Sequence, residues 1–233
     1  MKRLSIALAV LAVVLIATIA EAADSPAIAR RSFDVGVDIG LPVAGFIPYG
    51  TITGDNGLDG TVSGSGTVSF PYLGLHARLY PKPSWFIQFD FLNYLRQPGQ
   101  GTWSTEDDAG NKHDEDFKFV VSRFTVLDFG LGKNFSTGRV RPNAGAGLGI
   151  HYLSFTDQHA DDNASGWAIG PYGQIGVDFT ATKLRRIGDL FFGVNIRLDV
   201  IYNWAPITFE DSNTDVTLVY IPLSFFASGG LRF

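Results

Sequence analysis

Apolar and polar residues alternate with a period of two along much of the chain. That is the spacing of a strand whose two faces meet different surroundings. Phe33, Val35, Val37, Ile39 and Leu41 share one face of a first strand, with Asp34, Gly36, Asp38 and Gly40 on the other. Leu73, Leu75, Ala77 and Leu79 oppose Tyr72, Gly74, His76 and Arg78. Trp85, Ile87, Phe89 and Phe91 oppose Phe86, Gln88 and Asp90. A fourth strand ends with Leu127, Phe129 and Leu131 against Asp128, Gly130 and Gly132. A fifth sets Ala144, Ala146, Leu148, Ile150 and Tyr152 against Asn143, Gly145, Gly147, Gly149 and His151. A sixth sets Ile169, Ile175, Val177 and Phe179 against Gly170, Gln174, Gly176 and Asp178. A seventh sets Phe192, Val194, Ile196, Leu198 and Val200 against Gly193, Asn195, Arg197 and Asp199. In the last, Phe225, Ala227, Gly229, Leu231 and Phe233 share a face against Phe226, Ser228, Gly230 and Arg232.

The connections alternate in length. Residues 80–84, 134–138 and 181–188 are short or moderate; residues 43–66, 97–116, 156–166 and 205–215 are longer and polar. Within the first long segment, Gly54-Asp55-Asn56-Gly57 is a tight-turn sequence and predicts the tip of a raised hairpin. The rest of the long segments read as exposed loops. One face of each strand is continuously apolar, while the other carries Asp, Arg, His, Gln and Gly. A soluble sandwich or barrel fills its core with the apolar face and has no use for the second set inside. A membrane barrel reverses the arrangement, with lipid outside and polar groups within. The expected fold is therefore an all-β, eight-stranded, antiparallel up-and-down transmembrane β-barrel. Tyr80, Trp85, Phe179 and Phe233 are expected in the periplasmic aromatic girdle, and Tyr94, Tyr152, Trp167, Tyr202 and Trp204 in the outer one.

The chain begins with an export signal. Lys2 and Arg3 precede an almost unbroken apolar run from Ser5 to Ile19, and Ala20-Glu21-Ala22 fits a small-x-small cleavage site. The run is shorter than the ~20 residues a helical span needs. Residues 1–22 are thus expected to be a signal peptide, 23–32 a short lead-in and 33–233 the barrel. The chain contains no cysteine, which excludes lipoprotein attachment and disulfide chemistry. The formal net charge of −5 argues against a nucleic-acid binder, whose phosphate contacts need a basic face.

The export signal, the eight strands, the run Arg141-Pro142-Asn143-Ala144-Gly145-Ala146-Gly147-Leu148-Gly149 and the terminal Phe233 resemble the small porin-like outer-membrane barrels. These include the OmpA transmembrane domain and the OmpX-like and OmpW-like proteins. The resemblance implies the outer membrane of a Gram-negative bacterium and a monomer without a cofactor. It further implies contact with outer-membrane lipids, and with the barrel-assembly machinery during insertion. It places Phe233 as the membrane-insertion signal. It also implies either a structural and surface role or, in OmpW-like members, narrow transport of small apolar solutes that leave sideways. No peptidoglycan-binding domain is expected after the barrel.

The inward faces hold the candidate chemistry: Asp34, Asp38, His76, Arg78, Asp90, Asp128, His151, Asp178, Arg197, Asp199 and Arg232. Buried charges need partners or water, so a lumen charge network is expected. Asp34 and Arg232 should pair at the seam between the first and last strands, completed by Arg78, Asp128 and Asp178. The inward glycines either leave a path or make room for side chains such as Tyr72 and Phe86 that cross the lumen. A lipid-modifying hydrolase would need a nucleophile beside a base. His151 and Ser154 are the nearest pair, but three residues apart they face opposite sides of a regular strand. The long segments carry Asp55, Asp59, Glu106, Asp107, Asp108, Asp114, Glu115, Asp116, Asp157, Asp161, Asp162, Glu210, Asp211 and Asp215. They offer oxygen ligands for divalent cations, though without the spacing of an EF-hand loop. The periplasmic connections carry Lys82, Lys133, Arg139, Arg141, Lys183, Arg185 and Arg186 with Asp189.

Overall fold

The computed structural model describes residues 33–54, 59–66, 72–94, 97–106, 112–157, 163–184, 188–203, 207–209 and 214–233. The segments expected to be the signal peptide and lead-in, with Trp204, Arg185, Arg186 and the acids at 55, 107, 108, 161, 162, 210 and 211, lie outside them. The described elements are all strands. They are β1 (Phe33–Gly54), β2 (Asp59–Gly66), β3 (Tyr72–Lys82), β4 (Trp85–Tyr94), β5 (Gln97–Glu106), β6 (Lys112–Asn134), β7 (Val140–Asp157), β8 (Asn163–Leu184), β9 (Gly188–Asp199), β10 (Ile201–Tyr202), β11 (Ile207–Phe209) and β12 (Thr214–Arg232).

Antiparallel ladders join β1 to β3, β3 to β4, β4 to β6, β6 to β7, β7 to β8, β8 to β9 and β9 to β12. The ladder from β12 back to β1 runs from Asp34↔Arg232 to Gly54↔Thr214 and closes a ring of eight. It shifts register between Pro42 and Ala44 and between Phe46 and Tyr49. Pro42 and Pro48 have no N–H to donate, so the ladder bulges beside them.

Each strand through the ring turns its apolar face outward. On β3 Leu73 and Leu75 are 55% and 57% exposed, while His76 and Arg78, which follow them on the other face, are 4% and 1% exposed. Val37, Ile39, Phe89, Leu127, Phe129, Leu131, Leu148, Ile150, Phe192 and Val194 continue the exposed apolar band around the wall. Val177, of the same sequence face, is buried instead. A band of this extent is stable only against lipid. Strands make the crossing: no helix of the described residues is long and apolar enough to span a membrane.

The segments read as loops turn out to be largely strand. β1 and β2 form the raised hairpin, with pairs from Gly45↔Gly66 to Thr53↔Asp59. β5 continues the third barrel strand, pairing β2 on one side and β6 on the other. β7 and β8 extend to Asp157 and Asn163, and β11 pairs both β12 and β8. These extensions are rich in Thr, Ser and Val, which favour strands. Beyond the membrane both faces meet water, so the apolar–polar contrast fades while the backbone ladder continues.

The girdles need corrections too. Trp85, Phe179, Phe233, Trp167 and Tyr202 are exposed on the outer wall, and the Tyr152 and Trp167 rings lie 5.1 Å apart edge to face. Tyr80 instead points into the barrel and is buried, because it follows outward-facing Leu79. At the seam, Phe233 N donates to Phe33 O at 2.8 Å and Phe33 N to Phe233 O at 3.4 Å. The two rings stack with centroids 5.5 Å apart.

Removing Phe233, or replacing it with Asp, strips this closing clasp from the wall. Heat-modifiable barrel in the outer-membrane fraction should fall several-fold, as read by unheated gel electrophoresis. Wild-type amounts of folded barrel would overturn that role.

Candidate functional site

The barrel interior is built by residue parity: each inward charge sits between two outward apolar residues of its strand. Asp34, Asp38, His76, Arg78, Asp90, Asp128, His151, Asp178, Arg197, Asp199 and Arg232 are all buried there. The structure divides most of them between two ionic groups rather than one.

The lower group surrounds the seam. Asp34 lies directly across from Arg232 on β12 and from Arg78 on β3. Arg232 Nη2 donates to Asp34 Oδ2 at 3.0 Å and to Asp178 Oδ2 at 3.2 Å. Arg78 Nη1 donates to the same Asp178 oxygen at 2.7 Å, and Arg78 Nε to Gln88 Oε1 at 2.9 Å. Tyr80 Oη donates to Asp34 Oδ2 at 2.6 Å. The Arg232 guanidinium also lies 4.8 Å from the Phe191 ring centroid, and that of Arg78 4.9 Å from the Phe86 centroid. β3 and β8 stand opposite each other in the ring of eight, so the Arg78–Asp178 pair crosses the lumen.

The second group centres on Arg197 of β9. Its Nη1 lies 2.6 Å from Asp128 Oδ2 on β6 and 3.6 Å from Asp90 Oδ2 on β4. Its Nε donates to Asp199 Oδ1 at 2.9 Å, and its guanidinium rests 3.9 Å from the Tyr172 ring centroid. Asp128 was expected in the seam layer and belongs here instead. Strands in a barrel are tilted and staggered, so equal distance from the periplasmic end is not equal depth. Gln88 bridges the two groups, accepting from Arg78 and donating through Nε2 to Asp90 Oδ2 at 2.6 Å, and Gln174 Nε2 donates to its Oε1 at 2.8 Å. His76 Nδ1 lies 3.0 Å from both carboxylate oxygens of Asp38.

Several inward glycines face side chains, and others, such as Gly147 and Gly170, face a neighbouring strand's backbone. A Cβ on Gly40 would lie 1.9 Å from the Tyr72 ring, and one on Gly132 would lie 2.1 Å from the Phe86 ring. These glycines receive aromatic rings that point into the lumen, one of the two arrangements the sequence left open. Farther along the barrel, Tyr72, Leu92, Val126, Leu153, Ala164, Ala168, Ile201 and Phe226 form a buried apolar cluster, with Tyr220 packed against it. Period-two parity from Tyr72, Asp90 and Asp128 reaches Leu92 and Val126, so a signal for this layer existed. Parity alone could likewise have found Tyr80, Gln88 and Gln174 as partners.

One basic position separates from the rest. Lys82, Lys133, Arg139 and Lys183 are exposed at the rim of the short connections, whereas Arg141 is buried, its Nε donating to Gly138 O at 3.1 Å. Asp189, opposite Arg232 in the β9–β12 ladder, is buried as well. Among the described residues no group of His, Asp and Glu has a metal-holding arrangement. His151 and Ser154 pair in unbroken register with Ala168 and Ser165 of β8, so no bulge there turns them to one face.

No protein-family model matches the chain, and no curated protein matches it. Among solved structures, it is similar to the outer membrane protein OprG from Pseudomonas aeruginosa. The identity is 14%, over 86% of this chain and 94% of that one, with a TM-score of 0.43. It is also similar to Neisserial surface protein A, at 13% identity over 86% and 97% of the two chains and a TM-score of 0.40. A third is Ail, the attachment invasion locus protein of Yersinia pestis, at 13% identity over 87% and 99% and a TM-score of 0.39.

Arg232→Ala should strand Asp34 in a site it cannot leave, and Asp34→Ala should strand Arg232. Each should lower stability by about 3–5 kcal/mol. The double variant should lose less than the sum, because two partners in direct contact are not independent. Equilibrium urea unfolding in lipid vesicles checks this; strict additivity would remove the coupling.

Proposed function

We propose that this outer-membrane barrel is a passive, monomeric structural and surface protein whose polar lumen is closed by its own side chains. The observation that supports this most is the Arg78–Asp178 pair at 2.7 Å, which joins opposite walls of the ring. Arg197 adds a second crossing from β9 toward β4 and β6, and the apolar cluster lies along the same lumen. An eight-stranded barrel has an interior just wide enough for side chains to fill, so two crossings and an apolar layer leave little continuous water path. Catalysis forms no part of the proposal, since His151 and Ser154 do not share a face. The acids of β5 and β6, Glu106, Asp114, Glu115 and Asp116, belong to the extension beyond the membrane. In this reading the negative charge that the sequence concentrates in the long segments serves divalent cations and whatever the cell meets.

A second reading, narrow transport of small apolar solutes, draws on the cluster of Tyr72, Leu92, Val126, Leu153 and Phe226. It requires that cluster to part around a solute.

Planar-bilayer recording on the refolded full chain separates the two. The closed barrel should hold a flat baseline at neutral pH, and liposomes carrying it should take up a small apolar solute no faster than empty ones. Regular conductance steps would overturn the closed lumen. Faster uptake, abolished by enlarging Val126 to Trp in a folded barrel, would favour transport.

A further inference from the structure

The periplasmic rim carries a row of side chains that neither the lumen nor the closing of the wall uses. Lys82 pairs with Trp85 across the β3–β4 ladder, and Trp85 pairs with Lys133 across the β4–β6 ladder. Directly opposed residues in antiparallel strands share a face, and all three residues are exposed. A tryptophan thus stands between two lysines on three adjacent strands, spaced ~4.8 Å apart from strand to strand. The Lys133 ammonium is held beside aromatic faces, with its Nζ 5.8 Å from the Trp85 ring centroid and 5.9 Å from that of Phe135.

Above this row, on the same outer face, Leu79, Ile87, Leu131 and Ala146 form the next rung across the same strands and one further. Leu79 and Leu131 are exposed to the surroundings. The arrangement is amphipathic in the direction of the membrane normal: two ammonium groups at the rim, an indole at the interface and branched apolar side chains toward the bilayer centre. Asp189, the acid of the neighbouring periplasmic connection, is buried. The terminal carboxylate belongs to Phe233 at the end of β12, beyond β1 in the ring.

We propose that Lys82, Trp85 and Lys133 form a binding site for one anionic phospholipid of the periplasmic leaflet. The phosphate sits between the two ammonium groups, the indole packs beside the glycerol region, and the acyl chains run along Leu79, Ile87 and Leu131. Lysine ammoniums near a membrane surface attract anionic headgroups, and Trp prefers the headgroup level. The aromatic contacts of Lys133 restrain its side chain before the lipid arrives, which lowers the ordering cost of binding. The phosphate of a phospholipid, rather than free phosphate, fits the rung of Leu79, Ile87 and Leu131, which only a chain-bearing ligand can use.

The test uses the refolded full chain in phosphatidylcholine vesicles, with spin-labelled phosphatidylglycerol or spin-labelled phosphatidylcholine as the probe. The fraction of label immobilised at the barrel gives the relative affinity. The wild-type barrel should prefer phosphatidylglycerol by at least about fivefold. The K82Q/K133Q variant, shown folded by heat modifiability, should bring the two lipids to near parity. Lys183→Gln, on the opposite side of the ring, should leave the preference intact. An unchanged preference in K82Q/K133Q would overturn the site. So would an equal loss in Lys183→Gln, which would make the attraction a diffuse property of the rim. Inorganic phosphate that displaces the label as effectively as short-chain phosphatidylglycerol at equal concentration would show that the apolar rung adds nothing and would overturn the lipid.

Discussion

Everything in this molecule depends on the ladder between β1 and β12. A sheet edge inside a bilayer leaves N–H and C=O groups with no water to satisfy them, at several kcal/mol each. The chain avoids that cost only by bringing its first and last strands together, from Asp34↔Arg232 upward. Once the ring is shut the two faces of every strand acquire opposite solvents, and the alternation along each strand has its meaning. The bulges beside Pro42 and Pro48 show how far the ladder bends to keep the closure.

Closure also creates the difficulty that the interior solves. Aspartates and arginines enclosed by a wall of eight strands have little access to water, and an unpaired one is costly. The molecule answers with arginines long enough to reach other strands. Arg78 and Arg232 share one oxygen of Asp178, and Arg197 serves Asp128 and Asp199 with Asp90 close by. Aromatic rings lie against three of these guanidiniums: Phe86, Phe191 and Tyr172. Tyr72 and Phe86 can enter the lumen because Gly40 and Gly132 carry no side chain there. The interior is thus held by directional polar contacts and the exterior by lipid.

Much of this was legible in the sequence because lipid writes a strong pattern. Where the wall crosses the membrane, Leu73, Leu75, Phe129 and Leu131 are needed outside and His76, Arg78 and Asp128 fit only inside. Beyond the membrane the pattern lapses. Gln97–Glu106 reads as a polar loop yet forms β5, because its backbone pairs with β2 and β6 without any apolar alternation in its sequence. Residue type alone puts Tyr80 in the girdle, although its position after Leu79 turns it inward to Asp34. The grouping of lumen charges was legible only at the seam, where the Asp34–Arg232 register follows from the chain ends. Which charges meet across the lumen depends on strand tilt and stagger, and no local pattern encodes those. That is why Asp128 was placed with Asp34 and is found with Arg197.

The sharing of Asp178 by Arg78 and Arg232 has a consequence for the order of events during biogenesis. Arg78 is delivered by the second barrel strand, Asp178 by the sixth and Arg232 by the eighth. Until β12 pairs with β1, in whatever order the strands arrive, Asp34 and Asp178 lack the Arg232 cation and face a wet, open trough. Water remains a good solvent for that intermediate until β12 docks and the trough becomes a tube. Charge neutrality and strand closure therefore arrive together, so that completing the wall is rewarded by the interior as well as by the bilayer. A prematurely closed or misregistered ring would forgo both at once.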